Sequence, residues 1–341
     1  MNRKAMLYLW SVIFCLVAVL SGCRPQPNAD LPPDVLALRG MDVLEEGDGQ
    51  LAREFFELAL SKEPDHPGAH AGMAQLAEGK LDFDAAVDHY ETAVLQYVYG
   101  QDEELDYEIS RAQTRLAELY ASMGELERGE RLLQDLAEKT GNSYYEDSLM
   151  ENQLVVSSPL TTDLSPLASG EWDHLEMLSL STPGVTDFSP VAALPNLKVL
   201  TLGDCGLEEL SFLTSLDQLQ VLQLMWNELT DLRPLGRLEH LELLDLSHNE
   251  ELSDLTGLEG LDRLKTLNVS DTRVEDLTPL QSCPSLERLD LSFLGVTDFS
   301  PLQNCPLSEI DVTGFSDAQL EAVSATLPDV LLIYREGLFI H

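Results

Sequence analysis

The sequence predicts two solenoids in series: an all-helical array of hairpins, then an α/β coil with a parallel sheet on its concave face. Two repeat periods carry this prediction. Between residues 34 and 140 small residues recur every 34 positions, a spacing typical of paired antiparallel helices. From residue 154 to residue 341 leucines recur about every 22 positions in an L-x-x-L-x-L pattern, which indicates stacked parallel strands. With 44% hydrophobic residues the chain can bury the cores of both arrays.

The first 22 residues have the plan of a secretory signal peptide. Arg3 and Lys4 precede an apolar run over residues 5–20, which is shorter than the ~20 residues of a spanning helix. The tetrapeptide "LSGC", residues 20–23, resembles the bacterial lipobox, in which the cysteine is acylated and becomes the first residue of the mature chain. The resemblance implies that Cys23 carries lipid, palmitate included. The alternative is an uncleaved anchor helix in which Cys23 is incidental.

Residues 23–33 are predicted to form the acylated cysteine and an extended spacer, because four prolines stiffen this stretch. Arg24 follows the cysteine, whereas bacterial lipoproteins kept at the inner membrane usually carry aspartate there. The resemblance therefore implies a lipid-anchored protein of the bacterial cell envelope, at the outer membrane rather than the inner one.

The formal net charge of −40 limits the partners. Such a surface repels phosphate backbones and anionic headgroups. Nucleic acid is therefore excluded as a partner, and membrane contact is expected only through the lipid on Cys23.

The helical array, residues 34–140, is predicted from a 34-residue pattern matched at six positions in its first copy and less fully in a second copy and a third, displaced copy. Small residues are expected where paired helices cross closely, with an aromatic side chain filling the space beside them. The pattern resembles the tetratricopeptide repeat. Either a spacer with a second contact surface or a dedicated peptide groove fits this array. The positions that carry the pattern are Gly40, Gly47, Ala52, Phe56, Ala59 and Pro64, then Ala74, Leu81, Ala86, Tyr90, Ala93 and Val98, then Ala117, Gly124, Gly129, Leu133 and Leu136.

After a predicted linker at residues 141–153, the coil is predicted over residues 154–341 with a C-terminal cap. Each L-x-x-L-x-L strand is followed by a second segment such as "VTDFSPV" or "LTDLRPL". These linked motifs resemble leucine-rich repeats, most closely the internalin type. The leading leucines, expected in the common core, are Leu175, Leu197, Leu219, Leu241, Leu264, Leu286 and Leu307. The aspartates, expected to cap short convex helical turns rather than bind metal, are Asp187, Asp231, Asp254, Asp276 and Asp298.

In the family pattern an asparagine joins neighbouring turns, and Asn227 and Asn249 occupy that position here. Cys205 and Thr272 are usual substitutes. Pro183, Leu294 and Phe315 depart from the pattern, so less regular ends are expected, and an extra residue at 250–251 is expected to bulge.

Catalytic motifs are absent from the sequence, so neither an enzyme nor a bound cofactor or metal is expected. His66 and His70, four residues apart, are interpreted as surface residues at a helix start. Cys283 and Cys305 occupy equivalent places in successive repeats. They are either bridged or two buried thiols, and both alternatives stay open.

The concave face is the predicted binding site, because residues between the leucines of each strand point away from the core. The repeats that begin at Leu219 and Leu241 combine exposed apolar side chains with an acidic rim, a composition typical of an interface centre. We expect a protein partner with a basic and apolar patch. The alternative for Trp226 is that it folds over the adjacent turn. The predicted site residues are Val221, Gln223, Met225, Trp226, Leu243, Asp245, His248, Arg288, Asp290 and Phe293.

Two functional hypotheses follow from the sequence. In the first, a non-enzymatic, lipid-anchored envelope protein binds a protein partner through the concave face of the coil. In the second, the chain is a structural or assembly factor of the outer membrane whose helical repeats bind, while the coil is a spacer.

Overall fold

The computed structural model describes residues 26–99, 103–140 and 149–334. The signal peptide and Cys23 lie outside the described residues, as do most of the predicted linker and the last seven residues. The chain forms two compact units. One comprises Met1–Leu76 and Ala86–Ala112, and the other comprises Ala77–Ala85 and Gln113–His341.

Six helices precede the first strand in the described part of the chain, which confirms the helical repeat array. They alternate with short turns, as hairpins require. Their bounds are α1 (Pro33–Glu45), α2 (Gly49–Lys62), α3 (Pro67–Glu78), α4 (Phe83–Gln96), α5 (Glu103–Ser122) and α6 (Leu126–Thr140).

The turns that close the three hairpins share one geometry. Gly47, Leu81 and Gly124, which the repeat pattern aligns, all have left-handed backbone, with φ of 85°, 54° and 83°. In each turn the next N–H bonds a carbonyl five residues back, at 2.7–3.1 Å. This is the Schellman ending of a helix, which glycine favours because a Cβ is strained at positive φ.

Close helix crossing at the small positions is also confirmed. A Cβ on Gly40 would lie 2.4 Å from the ring of Phe56, and a Cβ on Gly72 would lie 2.2 Å from the same ring. Phe56 is fully buried. The aromatic side chain therefore fills the space that the two glycines leave, as the repeat pattern predicts.

The interpretation of His66 as a surface residue is wrong, because its side chain is only 2% exposed. Its Nδ1 accepts the N–H of Ala69 at 3.2 Å, and its Nε2 lies 3.0 Å from the Asp34 carboxylate. His66 thus caps the start of α3 and joins it to α1. His70 is part-exposed and bonds His89 through their Nδ1 atoms at 2.9 Å.

Nine parallel strands in sequence order form the sheet of the coil, within the described residues. Each turn of the coil contributes one strand, and its leucines alternate inward. The leading leucines from Leu175 to Leu307 are buried, as predicted. The strands are β1 (Gln153–Val156), β2 (Met177–Leu180), β3 (Val199–Leu202), β4 (Val221–Gln223), β5 (Leu243–Asp245), β6 (Thr266–Asn268), β7 (Arg288–Asp290), β8 (Glu309–Asp311) and β9 (Leu331–Ile333).

The aspartate caps are confirmed for four of the five turns, and the turn after Asp254 keeps the hydrogen bond but forms no helical segment. The five predicted aspartates each accept the N–H two residues later, at 2.8–3.0 Å. In the turn after Asp187 the helical segment begins at Ser189, with Phe188 as its N-cap and a proline in the first turn. The carboxylate therefore acts from one residue before the usual capping position. Hydrogen bonds from the hydroxyl groups and then the N–H groups of Ser189, Thr278 and Ser300 lower the pKa of Asp187, Asp276 and Asp298. The guanidinium and then the N–H of Arg233 lower the pKa of Asp231 to about 2.

Asn227 joins two turns as predicted. Its Oδ1 accepts from the N–H groups of Cys205 and Leu207, both at 3.1 Å, and its Nδ2 donates to the carbonyl of Leu202 at 2.7 Å. Asn249 makes equivalent bonds one turn later. The extra residue at 250–251 is confirmed as an insertion, since Leu243 pairs with Thr266, one position beyond the 22-residue step.

The C-terminal cap consists of α7 (Asp317–Thr326) and β9. Ser316 and Gln319 form a capping box at the start of α7. The Gln319 amide also donates to the carbonyls of Leu294 and Val296, both at 3.0 Å. Gln319 thus joins the cap to the turn that contains Leu294 and Val296.

Candidate protein-binding face

Strand register arranges the predicted site residues in rows. In the first row Val221 pairs with Leu243, Leu243 with Thr266, and Thr266 with Arg288. In the second row Gln223 and Asp245 are neighbours, and Asp290 follows beyond Asn268. Since adjacent strands lie ~4.8 Å apart, Arg288 and Asp290 are ~10 Å from the fifth strand, and only the residues of β4 and β5 are direct neighbours.

A third row follows the strand ends, and its residues share an unusual backbone. Asp204, Trp226, His248, Asp271 and Phe293 all have φ between 53° and 64°. The N–H of Trp226 bonds the carbonyl of Ser247, and the N–H of His248 bonds that of Ser270, at 3.1 and 3.0 Å. Sequence reasoning missed this conformation. The position directly before the asparagine of each turn could have indicated it.

Trp226 and His248 form a stacked pair in this row. Their ring centroids lie 3.8 Å apart, with 12° between the planes. Trp226 therefore does fold over the adjacent turn, which was the alternative interpretation. Its side chain nevertheless remains 57% exposed, so the stack fixes the orientation of the indole without removing it from solvent.

Phe293 is separate from this pair. Asp271 lies between His248 and Phe293 in the row, and Phe293 covers Gly314, where a Cβ would lie 2.6 Å from its ring. Phe293 is 49% exposed. The third row thus exposes two separate aromatic side chains, Trp226 and Phe293, which do not form one cluster.

The apolar centre of the face consists of Val221, Leu243, Met225 and Trp226. The first three are half-buried. Met225 packs against Gly203, where a Cβ would lie 3.4 Å from its Sδ. These apolar side chains come from two adjacent turns, and Gln223 lies between Val221 and Met225 along the chain.

The second row, with its carboxylates, lies between Val221 and Leu243 on one side and Met225 and Trp226 on the other. Asp245 accepts from the N–H of Ser247 at 2.9 Å, and Asp290 accepts likewise from Ser292. Burial, together with the charges of Asp311 and Asp245, raises the pKa of Asp290. Ser247, which alternates with Asp245 along the chain, is nevertheless buried.

Two kinds of feature are absent from residues 26–99, 103–140 and 149–334. Among them no group of three or more His, Cys, Asp or Glu side chains is arranged to hold a metal ion. In the same ranges no helix combines the length and apolar character needed to cross a bilayer.

The chain is similar to known leucine-rich repeat proteins over its C-terminal part. Residues 262–304 match a family whose description is "Leucine Rich repeats (2 copies)". None of the curated proteins matches the chain.

Three solved structures are similar in fold. Internalin InlF of Listeria monocytogenes is 23% identical, with 60% of this chain and 63% of that chain covered and a TM-score of 0.47. Internalin InlC2 of the same organism is 27% identical, with 51% and 89% covered and a TM-score of 0.41. The leucine-rich repeat protein LIC12759 of Leptospira interrogans is 19% identical, with 56% and 61% covered and a TM-score of 0.41. The chain thus spans 63% of the length of InlF. Its coil is built of leucine-rich repeats and is preceded by a helical repeat array.

Proposed function

We propose that the chain binds a protein partner through the concave face of its leucine-rich coil. The observation that carries this proposal is the apolar centre of Val221, Leu243, Met225 and Trp226 on strands whose outer side no described element covers. Exposed aromatic and aliphatic groups with a polar rim are typical of interface centres. The acidic rim favours a partner with basic side chains around an apolar spot.

The proposal includes a lipid anchor and a location at the bacterial cell envelope. Lipid on Cys23 would hold the chain to the bacterial cell envelope, at the outer membrane by preference, with the proline-rich spacer between lipid and helices. The helical array would be of the tetratricopeptide type. The protein would act without catalysis, as an adaptor.

The binding face is tested by pull-down from native envelopes with the full chain in detergent. The test variant is Val221→Ala with Leu243→Ala, and the matched control is Phe212→Ala, a part-exposed aromatic side chain in a convex turn of the coil. We expect the control to retain the partner and the test variant to lose it, with unchanged circular dichroism. Equal retention by both variants would contradict the proposed face.

A second candidate assigns binding to the helical array and makes the coil a spacer. It is favoured by Leu95 and Val98, whose side chains are 79% and 64% exposed near the end of α4. In the same pull-down, a Leu95→Ser and Val98→Ser variant that loses the partner, while the Val221 and Leu243 variant keeps it, would establish this second function.

The lipid anchor has its own experiment. Cells are labelled with radioactive palmitate while they express the unaltered chain, Cys23→Ser or Cys15→Ser. We expect label on the unaltered chain and on Cys15→Ser, and none on Cys23→Ser. Label that survives Cys23→Ser would contradict the anchor without bearing on the binding face.

A further inference from the structure

A groove lies beside the third row, on the flank of the coil. It encloses about 1030 Å³ and is lined by residues of three successive turns, 204–211, 226–234 and 248–251. One of its walls is the stacked pair of Trp226 and His248. This groove does not include the first-row residues Val221 and Leu243.

The groove is strongly acidic. Seven carboxylates line it, and two of them are paired, Asp231 with Arg233 and Glu251 with Arg273. The other five form no ion pair with any residue that the structure describes. They are Asp204, Glu208, Glu209, Glu228 and Glu250, all exposed.

The aromatic wall distinguishes this groove from the acidic surface elsewhere. An indole beside carboxylates suits a cationic side chain, because the ring attracts the charge and also covers the methylene stem. The stack on His248 holds the indole at the groove before any ligand arrives, so less side-chain freedom is lost on binding.

We propose that this groove binds a lysine- or arginine-containing extended segment of the partner protein. The segment would lie along the flank, with alternate side chains directed into the groove, since successive side chains of an extended chain point to opposite faces. The proposal rests on the proposed function for the nature of the partner, and of the apolar centre named there the groove shares only Trp226.

The probe is a fluorescein-labelled decapeptide of alternating lysine and glycine, and its counterpart carries glutamate in place of lysine. Binding to the full chain in detergent is followed by fluorescence anisotropy at low and at physiological salt. The test variant is Glu208→Gln, Glu209→Gln and Glu228→Gln. A control variant, Glu287→Gln, Glu321→Gln and Asp329→Asn, has the same net charge but leaves the groove intact.

We expect the lysine peptide to bind the unaltered chain and the control variant alike, and the glutamate peptide not to bind. The groove variant should bind the lysine peptide about tenfold more weakly at low salt, where exposed charges are least screened. Trp226→Ala should weaken binding about threefold to tenfold, the range of a cation–π contact.

Equal losses in the groove and control variants would overturn the proposal, since general charge would then explain the attraction. An unchanged affinity in Trp226→Ala would also overturn it. The two proposals fail separately. If the Val221 and Leu243 variant loses the envelope partner but the groove binds no lysine peptide, the binding face is supported and the groove proposal is overturned. If peptide binding depends on the groove residues but partner capture does not depend on Val221 and Leu243, the groove is supported and the binding face is overturned.

Discussion

Arg115 of α5 donates a hydrogen bond of 2.7 Å to the carbonyl of Val155, on the free edge of the first strand. The same guanidinium bonds the carboxylates of Glu78 and Glu118 at 2.6 and 2.8 Å. Burial alone would lower the pKa of Arg115, but the two carboxylates raise it above its ordinary value. One side chain thus satisfies a carbonyl that no further strand can pair.

We expect Arg115→Met to destabilise the unit that contains Arg115 by about 2–3 kcal/mol, because it leaves the largely buried Glu78 without its cation. Urea unfolding followed by circular dichroism measures this loss. Adding Glu78→Gln should restore part of the stability, since the uncompensated charge is then removed. A double variant no more stable than Arg115→Met would show that the ion pair contributes nothing beyond the bond to Val155.

Asn227→Ala should destabilise the coil by about 3 kcal/mol or more, because the buried N–H groups of Cys205 and Leu207 and the carbonyl of Leu202 all lose a partner. Thr272→Ala is the matched comparison, at the equivalent position two turns later. Its hydroxyl bonds chiefly the carbonyl of Val269, at 2.7 Å, so about 1 kcal/mol is expected. Equal losses in thermal or urea unfolding would contradict the special role of the asparagine.

Gly72→Ala should destabilise the helical array, although alanine favours helix by about 1 kcal/mol over glycine. The added methyl group would meet the buried ring of Phe56, and overpacking of this kind costs about 1–3 kcal/mol. The double-mutant cycle with Phe56→Leu checks the cause. In that background the alanine should be tolerated better, and additive losses would exclude the ring as the origin of the effect.

Much of the fold follows from the sequence because a solenoid repeats its interactions at a fixed period. Leu219 and Leu241 are buried for the same reason, so one recognised turn predicts the next. The burial of His66 could not be predicted, since it depends on Asp34, which lies more than thirty residues earlier. The stacking of Trp226 on His248 likewise depends on a contact between neighbouring turns, which the pattern of a single turn does not show.

The lowered pKa values of the capping aspartates predict how the free energy of unfolding falls at acidic pH. Asp187, Asp231, Asp276 and Asp298 have folded pKa values below the ordinary 3.8. A lowered folded pKa stabilises the native state above the unfolded pKa, and this stability is lost as the pH falls from about 4 towards about 2. Replacing all four with asparagine, which keeps the acceptor oxygen, should make the free energy of unfolding in urea depend less steeply on pH between pH 4 and 2. An unchanged slope would contradict the assignment.

The thiols of Cys283 and Cys305 give a final prediction. Burial, with the neighbouring thiol and acidic residues, raises the pKa of Cys283 to about 12, and burial raises that of Cys305. Each sulfur lies 3.4 Å from a carbonyl of the preceding turn. Since the thiolate is the reactive form, iodoacetamide at pH 8 should modify Cys305 slowly and Cys283 hardly at all in the native chain. Both should react fully in urea without reductant. Modification in urea that requires a reductant would instead show that the two cysteines are bridged.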